Sequence, residues 1–130
     1  MSDIPPPNAI LMQMLFAGLI LQCIRVAAIL RIADLVAERP STAAELAAKT
    51  DTHEPSLYRV LRALANVGIF AENPDRTFDS TPIADLLRTD SPNSMRDFAI
   101  LQGEEWGWRA SVELIHTVKT GETARSRRTA

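Results

Sequence analysis

The N-terminal part of the chain carries one long apolar run, AILMQMLFAGLILQCI, which occupies residues 9–24 and contains no charged residue. Its apolar positions fall on nearly every face of a helix, which Asn8 is predicted to cap after three prolines. The helical period continues beyond a bend to Pro40. The run is shorter than the ~20 residues that span a bilayer, and the acidic, proline-rich start is unlike a secretory signal. We therefore expect a helix buried within protein, with no membrane partner.

This helix needs more cover than a chain of 130 residues can supply around its own terminus. A second copy of the chain is the expected cover, so the sequence predicts a homodimer. The predicted dimer interface consists of the large apolar side chains of the run, which are Leu11, Met12, Leu15, Phe16, Leu19 and Ile20.

Residues 27–80 have the pattern of a helix-turn-helix followed by a hairpin. Thr42 and Glu45 form a capping box for one helix, and Pro55 is tolerated only in the first turn of the next helix. Gly68 suits a left-handed helix end. The segments IFAE and RTFDS, on either side of an Asn-Pro-Asp tip, predict two short strands. This order of elements is typical of a winged helix.

Three further helices are predicted after the hairpin, so the predicted fold class is mainly α with one small β-hairpin. Thr81 with Pro82, and Ser91 with Pro92, each provide a capping residue and a first-turn proline. The last helix lies in EEWGWRASVELIHTVKTG and ends at Gly121. The side chains predicted to be buried in it are Trp108, Val112, Ile115 and Val118, and those predicted to pair on its solvent-exposed side are Glu105, Arg109 and Glu113.

The charge of the helix-turn-helix and hairpin argues against DNA reading. The chain has a formal net charge of −2, and residues 51–80 carry three arginines against five acidic residues, a net of −2. Arg59 and Arg62 are predicted to point outward, and three arginines lie in the terminal ARSRRTA. Two functions therefore stay open. The acidic hairpin favours a packing scaffold, whereas the arginines favour a small dimeric winged-helix transcription regulator that binds DNA.

The sequence contains no pattern for catalysis, cofactor binding or metal binding. Its five glycines form no phosphate-binding or dinucleotide-binding loop. His53 and His116 lack a second ligand at metal-binding spacing, so both are interpreted as surface residues. Cys23, the single cysteine, lies in an apolar helix and is interpreted as an inert apolar residue. A chain that forms no internal disulfide suits a reducing compartment, so we expect a cytoplasmic protein.

Four segments in order carry a resemblance to a known family: RIADLVAERPSTAAELAAKT, PSLYRVLRALANVGIF, FDSTPIADLLR and WRASVELIHTVKTGETA. Together they resemble the N-terminal dimerisation domain of plant-type S-adenosylmethionine-dependent O-methyltransferases, a group that includes bacterial polyketide methyltransferases. The resemblance covers residues 11–124. It implies a winged helix that no longer reads DNA, interlocks with a second copy through its first helix, and roofs the active site of a C-terminal Rossmann-like domain.

The resemblance also implies roles for individual regions of the chain. Residues 1–8 correspond to a flexible proline-rich start, 9–121 to the dimerisation domain, and 122–130 to a basic tail that is a truncated linker. The glycine-rich loop, the ribose-binding acid and the catalytic histidine of the family have no counterpart here, so this chain is expected to bind no S-adenosylmethionine and to be non-catalytic alone. Met12, Leu15 and Phe16 correspond to the helix that enters the partner, and the residues that correspond to the acceptor-pocket lining are Phe98, Leu101, Gln102, Trp106 and Trp108.

The function expected from the resemblance is that of a dimerisation and pocket-roofing domain of an O-methyltransferase for aromatic or polyketide-like molecules. Its partners are a second copy of itself and a methyltransferase catalytic domain. The sequence leaves open whether that catalytic domain belongs to the same chain or to a separate one.

Overall fold

Apolar side chains at helical spacing form eight helices beside a small sheet in residues 3–123, the part of the chain that the computed structural model describes. The fold is mainly α, as predicted. The predicted basic tail lies almost entirely outside the described residues. In chain order the elements are α1 (Pro7–Leu30), α2 (Ile32–Glu38), β1 (Ser41–Thr42), α3 (Ala43–Thr50), α4 (Glu54–Asn66), β2 (Ala71–Glu72), β3 (Thr77–Asp79), α5 (Pro82–Asp85), α6 (Arg96–Gln102), α7 (Glu105–Val112) and α8 (Leu114–Thr120).

Helix α1 is a single helix of 24 residues, longer than the uncharged run that predicted it. It begins at Pro7, and the extended residue before it makes no side-chain cap. The prediction that Asn8 caps this helix is therefore wrong. Proline is stable at the first helical position because its fixed φ suits the helix and its missing N–H has no partner there anyway. The bend predicted after Ile24 is wrong in position, because α1 continues to Leu30 and the break lies at Arg31, whose left-handed backbone (φ 58°) separates α1 from α2.

The helix-turn-helix forms where the sequence predicted it. The Thr42 hydroxyl accepts a hydrogen bond from the Glu45 amide at 3.2 Å, and the Thr42 amide donates to the Glu45 carboxylate at 3.2 Å. Pro55 lies in the first turn of α4, and Gly68 follows that helix with φ 87°. These local signals decide the element boundaries because each satisfies or relieves a backbone group at a helix end.

Replacing Thr42 with alanine tests the capping box. Because the substitution removes the hydroxyl that accepts from the Glu45 amide, we expect the free energy of unfolding to fall by about 1 kcal/mol. Thr42→Ser is the matched control, since serine retains the capping oxygen and should lose much less. Urea denaturation of the three proteins at one concentration measures the difference. Equal midpoints for the alanine and serine variants would contradict a stabilising cap.

The sheet has three antiparallel strands in the order β1-β3-β2, one strand more than the predicted hairpin. Ser41 of β1 pairs with Phe78, and Glu72 of β2 pairs with the same residue from the other side. Ser41 is fully buried, and its hydroxyl donates to the Arg39 carbonyl at 3.1 Å. Because β1 pairs with β3 on the side opposite β2, Phe78 of β3 lies in the central strand of the sheet.

The core lies where α1, α2, α3, α4 and the sheet meet. Phe78 is fully buried in it, and its ring meets the ring of Tyr58 edge-on with the centroids 5.9 Å apart. The other large side chains that are fully buried are Phe70, Ile32, Leu46, Leu61, Leu64 and Val36.

Helices α5 and α6 follow the core, and only the first begins as predicted. Thr81 caps α5 through its hydroxyl, which accepts from the Ala84 amide at 3.1 Å. The prediction that Ser91 and Pro92 start a helix is wrong, because α6 begins later, at Arg96, without a side-chain cap. A tertiary hydrogen bond from the Met95 amide to the Leu86 carbonyl fixes that start.

The predicted last helix is divided at Glu113 into α7 and α8. The backbone of Glu113 (φ −82°, ψ 0°) leaves the α-helical region, and the His116 amide closes a tighter turn onto the Glu113 carbonyl at 3.0 Å. Arg109 pairs with Glu105 as predicted. The prediction that this segment buries its apolar side chains is wrong, because α8 contacts chiefly α7 within the described residues. Trp108 is half-buried, and the exposed side chains are Val112, Ile115 and Val118.

Candidate functional site

Helix α1 has two halves with opposite surroundings. Its C-terminal half packs against α4 and α6 and buries Cys23, Ala27 and Ala28. Its N-terminal half projects from the domain and exposes large apolar side chains. The predicted interface residues that are more than half exposed are Leu11, Met12, Leu15, Phe16 and Leu19.

By length and mean hydropathy, α1 also satisfies the requirement for crossing a membrane, and only 6% of its most apolar stretch is buried. The expectation that this segment is too short for a bilayer does not hold for the helix that forms. Two kinds of cover, a membrane or protein, are therefore compatible with α1 considered alone.

One face of α1 forms the floor of an apolar groove of about 540 Å³. Met12, Phe16, Ile20 and Ile24 line it at intervals of four residues, and Val67 at the end of α4 forms part of the opposite side. Ile20 differs from the other predicted interface residues because it is half-buried against the domain's own core. The groove therefore continues the core outward, and within the described residues Val67 closes only part of the side opposite α1.

A second apolar cleft of about 330 Å³ adjoins this groove and shares Leu21 and Ile24 with it. Phe98 and Gln102 of α6, both predicted to line an acceptor pocket, lie here with Ile83 of α5. The shared residues make the two clefts one continuous apolar surface along α1.

The remaining predicted pocket residues lie elsewhere. Trp108 lines a different cleft, of about 470 Å³, together with Arg109 and other residues of α7. Trp106 and Leu101 are more than half exposed. The five predicted residues thus belong to one segment, α6–α7, but do not enclose one cavity within this domain.

The sequence analysis did not identify a role for two polar residues of α1, Gln22 and Arg25. Both bind the turn between α6 and α7, where Arg25 forms a salt bridge with Glu104 at 3.3 Å. The available signal was their position, because they interrupt the apolar C-terminal half of α1 three residues apart and so share one face. They join the exposed helix to the segment that carries the aromatic side chains.

The surface that a DNA-reading winged helix would present is engaged within the domain. Arg62 donates to the Tyr58 hydroxyl at 3.3 Å, and that hydroxyl donates to Glu72 at 2.7 Å. Arg76, at the hairpin tip, lies over the Tyr58 ring with its guanidinium carbon 5.7 Å from the centroid. These contacts and the acidic residues of the hairpin reduce the positive charge offered to phosphates.

We expect no binding to duplex DNA at physiological salt. Phosphate contacts supply most non-specific affinity, and residues 51–80 have a net charge of −2. Gel shifts on DNA duplexes of random sequence, and on duplexes from upstream of the coding sequence, should show no complex with a dissociation constant below roughly 10⁻⁵ M. A variant with Glu72→Gln, which removes one acidic charge but keeps an oxygen that accepts from Tyr58, provides the matched comparison. A sequence-dependent shift at nanomolar protein would instead support the regulator function.

The nucleophilic and metal-ligating side chains do not assemble into a reactive centre within residues 3–123. His53 Nδ1 lies 2.8 Å from the Ser56 hydroxyl, and His116 Nε2 lies 3.1 Å from Glu122. The described residues contain no group of three potential metal ligands. Burial raises the pKa of the Cys23 thiol, which favours the unreactive protonated form at neutral pH.

Comparison with known proteins finds methyltransferases among the relatives of this chain. The model of the O-methyltransferase dimerisation domain family matches residues 12–90. The phenazine O-methyltransferase PhzM of Lysobacter antibioticus is 49% identical over 119 residues, which are 92% of this chain and 35% of that protein.

Solved structures share the same fold. The crystal structure of LaPhzM has a TM-score of 0.85 and 47% identity, over 95% of this chain and 37% of that chain. An O-methyltransferase from neocarzinostatin biosynthesis, in complex with S-adenosylmethionine and 2-hydroxy-5-methyl naphthoic acid, has a TM-score of 0.66 and 34% identity, over 84% and 34% of the two chains. The chain thus spans about a third of the length of the relatives it matches.

Proposed function

The chain belongs to the O-methyltransferase dimerisation domain family, and we propose that it forms a homodimer through α1 and roofs the acceptor pocket of an S-adenosylmethionine-dependent O-methyltransferase. The acceptor is a flat aromatic or polyketide-like molecule, and the site of action is the cytoplasm. The domain itself transfers no methyl group. A catalytic domain supplies that chemistry.

The exposed N-terminal half of α1 is the observation that carries the dimer proposal. Six large apolar side chains between Leu11 and Leu19 are more than half exposed, and burying each is worth roughly 1.5 to 3 kcal/mol. Monomeric soluble proteins rarely leave such a patch in contact with water. A second copy supplies an equally apolar helix, and membership in a dimerisation family favours that partner over a membrane.

The roofing proposal is supported by the segment α6–α7. Phe98, Trp106 and Trp108 provide flat apolar surface, and Gln102 provides a polar group beside it. Ligand sites combine apolar walls with a few polar groups, and they form preferentially between domains. These residues supply one wall, and a catalytic domain supplies the other.

The proposed acceptor and methyl donor follow from the relatives. One relative is a phenazine O-methyltransferase, and a structural neighbour holds S-adenosylmethionine with a naphthoic acid. Phenazine and naphthoic acid are both flat fused-ring molecules, which match the aromatic wall of α6–α7. S-adenosylmethionine is assigned to the catalytic domain because the sequence of this chain has no glycine-rich loop at the start of a helix to receive it.

Ligand titrations of the 130-residue chain test this division of roles. Calorimetry with S-adenosylmethionine should be silent, whereas phenazine should quench the tryptophan fluorescence with a weak, saturable dissociation constant. The second wall of the pocket is missing, so we expect values roughly in the high micromolar range or weaker. Trp106→Ala should abolish the quenching, and Trp108→Phe should reduce it while leaving Trp106 in place.

Two results would contradict the proposal in different ways. A saturable heat of binding with a micromolar dissociation constant for S-adenosylmethionine would show that the domain holds its own cofactor. Methyl transfer to a phenolic acceptor by the purified chain would show the same. Quenching that is equally strong with the Trp106→Ala protein, or absent with the parent chain, would remove the roofing role and leave dimerisation alone. An intact S-adenosylmethionine-dependent methyltransferase serves as the positive control for both assays.

A further inference from the structure

Three residues of α1 that contact the segment α6–α7 lie on one face of the helix. Gly18, Gln22 and Arg25 follow one another at intervals of four and three residues, which places them in line along α1. We call these three residues the α1 contact stripe. Continued toward the N-terminus at the same spacing, this face carries Leu15 and Leu11, which are both more than half exposed.

The polar members of the stripe bind the end of α6 and the turn that follows. Gln22 Nε2 donates to the Gly103 carbonyl at 3.0 Å, and Arg25 Nε donates to the Ile100 carbonyl at 3.2 Å. Arg25 Nη2 also donates to Glu104 Oε1 at 3.3 Å. A cation beside the C-terminal carbonyls of a helix is favourable. Arg25 donates to two acceptors and Gln22 to a third, so together they hold three acceptors at this turn.

The glycines allow the two segments to approach closely. A side chain at position 18 would overlap the six-membered ring of Trp108, which lies directly against the bare backbone of α1. A side chain at position 103 would overlap the methylene groups of Arg25 in the same way. Gly103 is buried, and the stem of Arg25 occupies the space that a side chain at position 103 would need.

Segment α6–α7 depends on such contacts because it has little core of its own. None of the side chains of α6 or α7 is buried. The first turn of α7 starts from the residue that Arg25 holds, since the Trp108 amide donates to the Glu104 carbonyl at 3.3 Å. Fixing Glu104 therefore fixes the beginning of the helix that carries Trp108.

We propose that the α1 contact stripe is a positioning device that sets the place of Trp108, and with it the aromatic wall of α6–α7, relative to the dimerisation helix. The inference rests on the proposed function, in which α1 meets a second copy and α6–α7 faces the acceptor. Arg25 and Gln22 act through the turn at Gly103 and not on the acceptor itself. The same helix face thus connects the dimer contact at one end with the aromatic wall at the other.

The test uses the full 130-residue chain with Trp106→Phe, so that Trp108 is the single tryptophan. Arg25→Met keeps the apolar stem but removes all the hydrogen-bond donors of the guanidinium. Hydrogen exchange of the Trp108 amide should accelerate roughly tenfold, as the loss of one charge-assisted hydrogen bond predicts. Acrylamide should quench Trp108 more strongly, and Arg25→Lys should restore part of the protection because it keeps the charge beside Glu104.

Arg59→Met is the matched control, because Arg59 is an exposed arginine on α4 and its loss should leave Trp108 unchanged. Unchanged exchange and quenching in Arg25→Met would overturn the proposal, as would identical behaviour of the methionine and lysine variants. If Arg25→Met fails to fold, Gln22→Leu removes only the Gly103 contact and decides the question with the same readouts. The oligomeric mass separates this result from the proposed function: a monomeric parent would defeat the dimer and leave the Trp108 measurement valid.

Discussion

Replacing Leu15 with aspartate is expected to convert the homodimer into a folded monomer. Leu15 is 70% exposed within its own chain, so the carboxylate is tolerated by the monomer, whereas in the dimer it becomes buried without a partner. Burying an unpaired charge costs several kcal/mol, so the dimer dissociation constant should rise at least about a hundredfold. Sedimentation velocity at several concentrations measures the change, and circular dichroism reports whether the helices persist.

Ala48→Asp is the control for the added charge. Ala48 is exposed on α3, away from α1, and its variant should remain a dimer. Leu15→Ala should give an intermediate dissociation constant, because it removes apolar area without burying a charge. A Leu15→Asp protein that dimerises as tightly as the parent would place the dimer contact elsewhere, and one that loses its helices would show that Leu15 belongs to the core.

Replacing Phe78 with alanine is expected to cause the largest loss of stability of any single truncation in the sheet. The side chain is fully buried, pairs through its backbone with both neighbouring strands, and meets Tyr58 edge-on. Removing a buried phenylalanine costs about 3 to 5 kcal/mol, a large part of the roughly 5 to 15 kcal/mol that stabilises a domain. Urea unfolding at fixed protein concentration measures the loss, because dimer stability depends on concentration.

Phe98→Ala is the matched truncation. Phe98 is 55% exposed on α6, so its loss should change the free energy of unfolding by no more than about 0.5 kcal/mol. Similar losses for the two variants would mean that Phe78 is not central to the core. A loss at Phe98 that vanishes in a monomeric Leu15→Asp background would instead assign Phe98 to a surface buried by dimerisation.

The sequence predicted the elements whose signals are local. Thr42, Thr81, Pro55 and Gly68 each satisfy or relieve backbone groups within four residues, so their helix ends follow from composition and spacing alone. The mainly α class and the hairpin followed from these signals together. The apolar first helix was equally visible, because no other part of the sequence is uncharged for so long.

The errors arose where distant residues decide the structure. Strand β1 is only two residues long and exists because Ser41 reaches Phe78, so no alternating pattern announces it. The start of α6 is set by the Met95 amide, which donates to the Leu86 carbonyl. The capping signal at Ser91 therefore predicted the helix start at the wrong residue. The wrong prediction at Asn8 has a local cause instead, because proline is favoured at the first helical position and the helix therefore begins one residue before Asn8.

The candidate site was predicted in part. The apolar residues of α1 stood out, but Gln22 and Arg25 did not, because their partners lie 75 to 81 residues further along the chain. The prediction of burial for Val112, Ile115 and Val118 assumed that the apolar face of the last helix packs within its own chain. Periodicity identifies an apolar face, but it does not say whether the cover comes from the same chain or from another.

The mass of the chain in solution tests the central claim, that a second copy covers the exposed half of α1. Light scattering after size exclusion, at micromolar protein and without detergent, should give about twice the chain mass of 14.3 kDa. The same sample should not bind neutral phosphatidylcholine vesicles, because the dimer has already buried its apolar helix. A mass near 14.3 kDa together with binding to those vesicles would contradict the account and assign α1 to a membrane.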